Sequence, residues 1–227
     1  MTTTNSHILI FDVETTGLLP KAGSREPNPH IIQFSFILYN TSNRTIEQTH
    51  NYYINVAPEV IISPRITELT GITREMCSSY GISIVDALEK FSRCYELAST
   101  IVAHNHSFDS QMVKIEIARN IGSSLAYMFD PVCDYGRKAQ LCTMKSSVNI
   151  CNIMVVRDGH APYKKWPTLL ELYRHLFSST PDNLHNAIVD VLVCLRCFLM
   201  IYMDIHIDEP DFARMIVERC IAERCIC

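Results

Sequence analysis

Ile8-Leu9-Ile10-Phe11-Asp12-Val13-Glu14-Thr15-Thr16-Gly17 is the stretch whose reading decides the fold. Its first four residues are a continuous apolar run, the pattern of a strand buried on both faces. Side chains at i and i+2 leave a strand on the same face. Asp12 and Glu14 therefore project together at the end of a core strand, with Val13 opposite. Two like charges beside a core are costly unless something positive sits between them. A divalent cation meets that need, since Mg²⁺ is commonly held by one or two carboxylates together with substrate phosphates.

Working outward, residues 18–29 hold Pro20, Gly23, Pro27 and Pro29 and read as a loop. Residues 30–40 are apolar, with aromatic and β-branched side chains, and read as a second strand. Thr41-Ser42-Asn43 is a turn, and residues 44–56 form a third strand paired with the second. Ser63 as cap and Pro64 at the first helical position predict a short helix that ends at Gly71. Ile84, Val85, Leu88, Phe91 and Tyr95 recur at helical spacing over residues 82–97. Residues 100–104 make a short buried strand. Residues 107–121 make an amphipathic helix with Phe108, Met112 and Ile115 on one side and Gly122 as its stop. Helices are expected over 168–177, 186–203 and 209–227. Residues 123–167 show little periodicity but carry Arg137, Lys138, Lys145, Arg157, Lys164 and Lys165. They read equally as a groove for a polynucleotide backbone and as a solvated loop. The expected architecture is α/β: three antiparallel N-terminal strands joined by parallel strands in one mixed sheet covered by helices. Residues 1–205 form the main domain and 206–227 a helical tail.

The bulk properties narrow the classes. The chain has 227 residues, 48% of them apolar, enough for one large core. A net charge of −4 excludes binding of nucleic acid through a broad basic surface, but not through a local groove and metals. The N-terminal residues have neither a charged segment nor a long apolar stretch, so no secretory signal is expected. The ten cysteines are then expected as reduced thiols in an intracellular setting, cytoplasm or nucleus. The longest apolar stretch, 187–203, is short for a membrane span and contains Asp190 and Arg196, so no membrane association is expected. Cys194 and Cys197, with Cys220, Cys225 and Cys227, lack the spacing of a four-ligand zinc site.

Three further positions could join the first carboxylate pair. Asp109 falls in the first turn of a helix just after a strand, where the helix dipole alone favours a carboxylate. Asp190 lies in a helix apolar nearly all round, hence buried. Arg196, six positions on, is turned roughly 240° from it, so Asp190 needs a metal or an Arg from elsewhere. His185 is roughly 140° from Asp190 on a common helix, so it belongs in the preceding loop, with Asn186 or Asn183 as cap. Taken alone, His185 also fits an ordinary surface histidine.

Taken together these segments resemble a known family. Asp12-Val13-Glu14-Thr15-Thr16-Gly17, His104-Asn105-His106-Ser107-Phe108-Asp109 and His185-Asn186-Ala187-Ile188-Val189-Asp190 resemble, in order and spacing, the three motifs of the DEDDh 3′–5′ exonuclease superfamily. The type is that of the proofreading epsilon subunit of bacterial DNA polymerase III and its relatives. Leu69-Thr70-Gly71-Ile72-Thr73 and Lys165-Trp166-Pro167-Thr168-Leu169-Leu170-Glu171-Leu172 are also similar to segments of that family, and the likeness covers about residues 8–202. The resemblance implies a ribonuclease H-like fold and two Mg²⁺ or Mn²⁺ ions held by Asp12, Glu14, Asp109 and Asp190. It implies His185 as general base and release of nucleoside 5′-monophosphates from a DNA 3′ end, in proofreading or repair. An RNA 3′ exonuclease and an inactive module that binds nucleic-acid ends are the alternatives. The partners implied are single-stranded or frayed 3′ ends and a polymerase or other replication protein. Thr15 and Thr16 would meet the terminal nucleotide, and Asn105 either its phosphate or only its own loop. Leu69 to Ile72 would wedge against the last base, whereas Phe108 reads as core.

Overall fold

The computed structural model describes residues 6–130, 138–181 and 186–222, with side chains to Arg219. Its centre is β1 (His7–Thr15), which pairs antiparallel with β2 (Ile31–Asn40), Ile8 facing Tyr39 and Glu14 facing Gln33. β2 continues antiparallel to β3 (Thr45–Tyr53). The polypeptide then leaves the sheet for three helices. α1 (Pro64–Thr70) is capped by Ser63, whose hydroxyl accepts from Ile66 N–H, and it ends at Gly71 with φ of 73°, a left-handed turn that glycine adopts without strain. α2 (Arg74–Tyr80) gave no periodic signal because Cys77 is its only buried residue; its start is fixed by the Thr73 cap. Gly81 after it is required by close approach, since a Cβ there would lie 2.1 Å from the Cys77 carbonyl oxygen. α3 (Ile84–Leu97) follows, and the chain re-enters the sheet as β4 (Thr100–Ala103), parallel to β1 with Ile8 opposite Thr100.

α4 (His106–Asn120) and a 3₁₀ turn (Gly122–Leu125) lead toward β5 (Ala139–Cys142), which pairs parallel with β4. The five-stranded order is β3-β2-β1-β4-β5. β5 escaped the sequence pattern because it is a four-residue edge strand with no fully buried side chain. Two single-turn helices, α5 (Thr143–Ser146) and α6 (Val148–Cys151), precede a separate small hairpin of β6 (Met154–Val155) and β7 (Tyr163–Lys164). α7 (Leu169–Phe177) opens with a capping box between Thr168 and Glu171. α8 (Ala187–Met203) is capped by Asn186, and α9 (Glu209–Ala222) completes the described chain.

The period of two in β1 divides the interior. Leu9, Phe11 and Val13 enter one core with α3 and α4, where Phe91, Tyr95, Met112 and Val113 are fully buried. Ile8 and Ile10 enter the other, with Leu172 of α7 and Ile188, Leu192 and Leu195 of α8. Each such buried Leu, Ile or Val contributes about 1.5–3 kcal/mol. α9 shares this second core through Phe212. The nearly inaccessible Arg196 of α8 donates to the Ile207 carbonyl at 3.1 and 2.7 Å, to Glu209 at 2.6 Å and to the Tyr173 hydroxyl. Its guanidinium lies over the rings of Phe177 and Phe212, 4.1 and 4.6 Å from their centroids. Arg196 thus serves the α8–α9 junction and leaves Asp190 to other company, as their separation on the helix requires. Among the described residues no helix is long and apolar enough to cross a membrane.

Candidate active site

Asp12 and Glu14 continue the even register of β1, so they extend from the same face as Ile8 and Ile10, the face covered by α8. α8 delivers Asp190 in its first turn. One carboxylate oxygen from each of Asp12, Glu14 and Asp190 lies within 4.8 Å of the others, and all three residues are half-buried. Asp109 arrives differently. It belongs to the first turn of α4, on the opposite face of the sheet, and reaches the site around the end of β1. A backbone hydrogen bond from Val13 holds it there. It is 3% exposed and stands outside the three-residue cluster, while its Oδ2 is buried with no hydrogen-bond partner among the described residues.

The electrostatics follow from that crowding. Burial pushes the Asp12 carboxyl up to about 7. Burial, then the charges of Asp12 and Asp190, push Glu14 up to about 9. Asp109 is raised well above the ordinary carboxylate range by burial first and the Asp12 charge second, against the opposing pull of the Val13 backbone. Carboxylates this close, with one orphaned buried oxygen, fit a hard divalent cation that takes oxygen ligands. Among the described residues this is the group placed to share one. Cys194 and Cys197 are buried thiols raised by burial, which fits an apolar helix face and not a zinc pair.

What aligns α8 over β1 is a polar network that the sequence reading passed over. Ser35 faces Asp12 and Gln33 faces Glu14 across the β1–β2 pair. Directly opposed residues share a face. Both are buried. Gln33 Nε2 donates to Asn51 Oδ1 at 2.9 Å and to Asn186 Oδ1 at 3.4 Å, and its Oε1 accepts from Ala187 N–H at 3.3 Å. Ser35 Oγ donates to the same Asn51 oxygen at 2.6 Å. The first turn of α8, and with it Asp190, is therefore tied to the strand beside the carboxylate pair. The signal was present: Gln33 and Ser35 are polar at i and i+2 in an otherwise apolar strand, the same spacing as Asp12 and Glu14.

The remaining expected residues separate. The Thr15 hydroxyl donates to the Gly17 carbonyl at 2.7 Å. Thr16 pairs with His30 twice, its N–H donating to the His30 carbonyl and its hydroxyl accepting from His30 N–H, each at 2.9 Å. Both hydroxyls shape the exit from β1. Asn105 has φ of 75°, a left-handed conformation that asparagine tolerates, and its Oδ1 accepts from Ser107 at 3.3 Å. The wedge of Leu69 to Ile72 needs correction: Ile72 is 1% exposed and packs in the core of α3 and α4, so it cannot face a base, whereas Leu69 is 52% exposed. Phe108 packs against that core, as its helical position suggested. His185 lies outside the described residues. His104, next to the motif asparagine, is locked between Thr143 Oγ1 at 2.9 Å and the Pro167 carbonyl at 3.1 Å.

A mixed sheet with helices on both faces, carrying an acidic cluster fed from β1 and α8 with Asp109 of α4 buried nearby, defines a ribonuclease H-like domain whose carboxylates suit a divalent cation. The exonuclease family model, RNase_T, matches residues 9–198, and the chain belongs to that family. Curated relatives include the PolC-type DNA polymerase III of Caldanaerobacter subterraneus, 32% identical over 114 residues that cover 50% of this chain and 7% of that protein. The PolC-type enzyme of Thermotoga petrophila is 32% identical over 118 residues, 52% of this chain and 8% of that one. The matched part of this chain thus spans under a tenth of the length of these relatives. Among solved structures, the E. coli exonuclease I complex with single-stranded DNA superposes with a TM-score of 0.65 at 17% identity, over 94% of this chain and 43% of that one. The nuclease domain of 3′hExo bound to rAMP gives 0.58 at 17% identity, over 90% and 95%.

Proposed function

We propose that this protein is a divalent-metal-dependent 3′→5′ exonuclease that shortens DNA from its 3′ end and releases nucleoside 5′-monophosphates. The observation that carries this reading is the convergence of Asp12, Glu14 and Asp190 within 4.8 Å, with Asp109 and its unpartnered oxygen alongside, in a chain of the exonuclease family. These four carboxylates would hold two Mg²⁺ or Mn²⁺ ions, which when bound supply neutralising charge to the phosphodiester and to the attacking and leaving oxygens. His185 takes the proton of the attacking water, a task suited to an imidazole that titrates near working pH. Thr15 and Thr16 line the approach to β1 with backbone and Leu69 offers an exposed apolar contact for the terminal nucleotide, with Asn105 toward its phosphate.

DNA is favoured because the relatives at 32% identity are DNA polymerases. They also support a polymerase as the partner chain. RNA is the second reading, favoured by the rAMP held in the 3′hExo structure. The cysteines that stand as free thiols support an intracellular site of action, cytoplasm or nucleus. The test uses 5′-labelled single-stranded DNA, single-stranded RNA and a 3′-mismatched duplex, each with Mg²⁺ or Mn²⁺. The expected result is a ladder that shortens from the 3′ end of DNA, abolished by chelation and by Asp12→Ala. Retention of near-normal rates by His185→Ala would refute the general-base assignment, and absence of cleavage on every substrate would refute the activity.

A further inference from the structure

The segment between β5 and α7 leaves the sheet at the active-site end. β1, β4 and β5 run parallel, so their carboxyl ends share one edge, where ligands of open α/β sheets gather. His104, at the end of β4, grips both ends of this segment through Thr143 and Pro167. Two features set the segment apart. From Thr143 to Thr168 it holds Lys145, Arg157, Lys164 and Lys165 against one acidic residue, Asp158; Lys165 is held by Glu171 at 2.5 Å, which leaves a local surplus of two positive charges in a chain of net −4. Met154, Val156, Tyr163 and Trp166 are also four of the eleven large apolar side chains most exposed among the described residues, gathered in thirteen positions.

The aromatic rings there are each paired with a cation. Lys145 Nζ lies 5.9 Å from the Trp166 ring centroid, and the Arg157 guanidinium 5.8 Å from that of Tyr163. Trp166 is 61% exposed. A cation over one face of an exposed ring matches the two parts of a nucleotide, a charge to neutralise a phosphate and, on the opposite face, a surface to stack a base. We propose that the β6–β7 hairpin with Lys145 and Trp166 is the track for single-stranded DNA upstream of the 3′ end, each aromatic–cation pair receiving one nucleotide. This rests on the exonuclease reading of the carboxylate site. A protein surface would be answered by the apolar residues alone; the pairing of each ring with a cation, and the charge surplus, select the polyanion.

Trp166 is the single tryptophan of the chain, so its fluorescence reports this surface directly. The experiment titrates an Asp12→Asn variant, in Ca²⁺, with oligothymidylates of increasing length, reading Trp166 emission and the anisotropy of a labelled oligonucleotide together. Quenching is expected with the same midpoint as the anisotropy change, and is expected to be lost when the oligonucleotide becomes too short to reach the hairpin. Trp166→Ala should raise Kd by roughly 5–100-fold, the loss expected for one stacked base, and Trp166→Phe should recover most of it. Binding by anisotropy with unchanged Trp166 emission, or quenching by oligoadenylate RNA alone, would overturn the assignment while leaving the carboxylate chemistry untouched. Wild-type hydrolysis, measured separately, tests that chemistry: hydrolysis without quenching removes the track only, and the absence of both removes the exonuclease reading itself.

Discussion

Gln33→Ala tests whether the polar network under α8 positions the chemistry or only holds the fold. Truncation removes three hydrogen bonds, but their loss is unequal. Asn51 Oδ1 keeps the Ser35 hydroxyl at 2.6 Å, and Asn186 Oδ1 keeps Ile188 N–H at 3.3 Å. Ala187 N–H is left at a fully buried helix start with no acceptor. A buried unsatisfied donor costs about 1–3 kcal/mol. The lost methylene adds about 0.8 kcal/mol. The expected destabilisation is therefore about 2–4 kcal/mol, read by urea unfolding. Freed of Gln33, the first turn of α8 shifts, and Asp190 moves relative to Asp12 and Glu14. A misplacement of about 1 Å can cost on the order of 100-fold in rate. A kcat on oligothymidylate reduced ten- to a hundredfold, together with weaker Mg²⁺ binding by calorimetry, is expected under conditions where the variant is fully folded. A folded variant with kcat within twofold of wild type would refute the positioning argument, and destabilisation below about 0.5 kcal/mol would refute the network's weight.

Glu14→Gln removes a carboxyl that burial, then the Asp12 and Asp190 charges, push up to about 9; at pH 8 the unfolded chain releases the proton that the folded chain must hold, so without metal the variant should raise Tm while abolishing hydrolysis, and a lowered Tm would show that this carboxyl does not oppose folding. Mg²⁺ should stabilise the wild-type protein and not Asp190→Asn, by about 2.7 kcal/mol at a hundredfold excess over Kd, measured by differential scanning fluorimetry. His106 is 8% exposed, set edge-on against Phe11 and Phe129, and burial lowers it from 6.5 to about 4. Between those values the unfolded chain binds the extra proton, so stability should be full above pH 6.5 and fall toward pH 4, by up to about 3 kcal/mol, and His106→Phe should flatten that part of the urea profile. Arg196→Ala should unfold the protein at lower temperature by stranding the Ile207 carbonyl and Glu209, whereas Glu209→Gln, which keeps a hydrogen-bond acceptor for Arg196, should cost less; equal losses in thermal melts would contradict the reading that hydrogen bonding, rather than charge, carries the junction.

Much of the fold was legible because it rests on local rules. The apolar runs of β1 and β2, the Ser63 cap and the all-apolar α8 each declare themselves within a few residues. β5 and the β6–β7 hairpin did not, because their places are set by partners far away: β5 by pairing with β4, and the hairpin by His104 holding Thr143 and Pro167. At the site, the spacing of Asp12 and Glu14 predicted a shared face, and they share one. Burial of Ile72 was invisible, since one exposed and one buried position on neighbouring residues leaves no period to read. Gln33 was visible but unweighed: a polar residue in an apolar strand reads as a blemish until its partner strand is known.

The two cores explain why the acidic site forms where it does. β1 sends its odd residues into the core of α3 and α4 and its even residues into that of α7 and α8. Asp12 and Glu14 inherit the even side, and α8 meets them with Asp190 only because Gln33 and Asn186 fix its first turn. Asp109 comes from the odd side and is drawn over by the Val13 amide, whose side chain points the other way from Asp12. The four carboxylates, the cluster of three and Asp109 beside it, therefore sit at the seam between two separately packed halves, and neither half holds them all alone. Repulsion among these groups opposes closure of that seam, and a bound cation reverses the sign of the same interaction. On the proposed reading, ligation would be coupled to the docking of both helices, and the affinity for divalent metal would depend on residues such as Gln33 that never touch the ion.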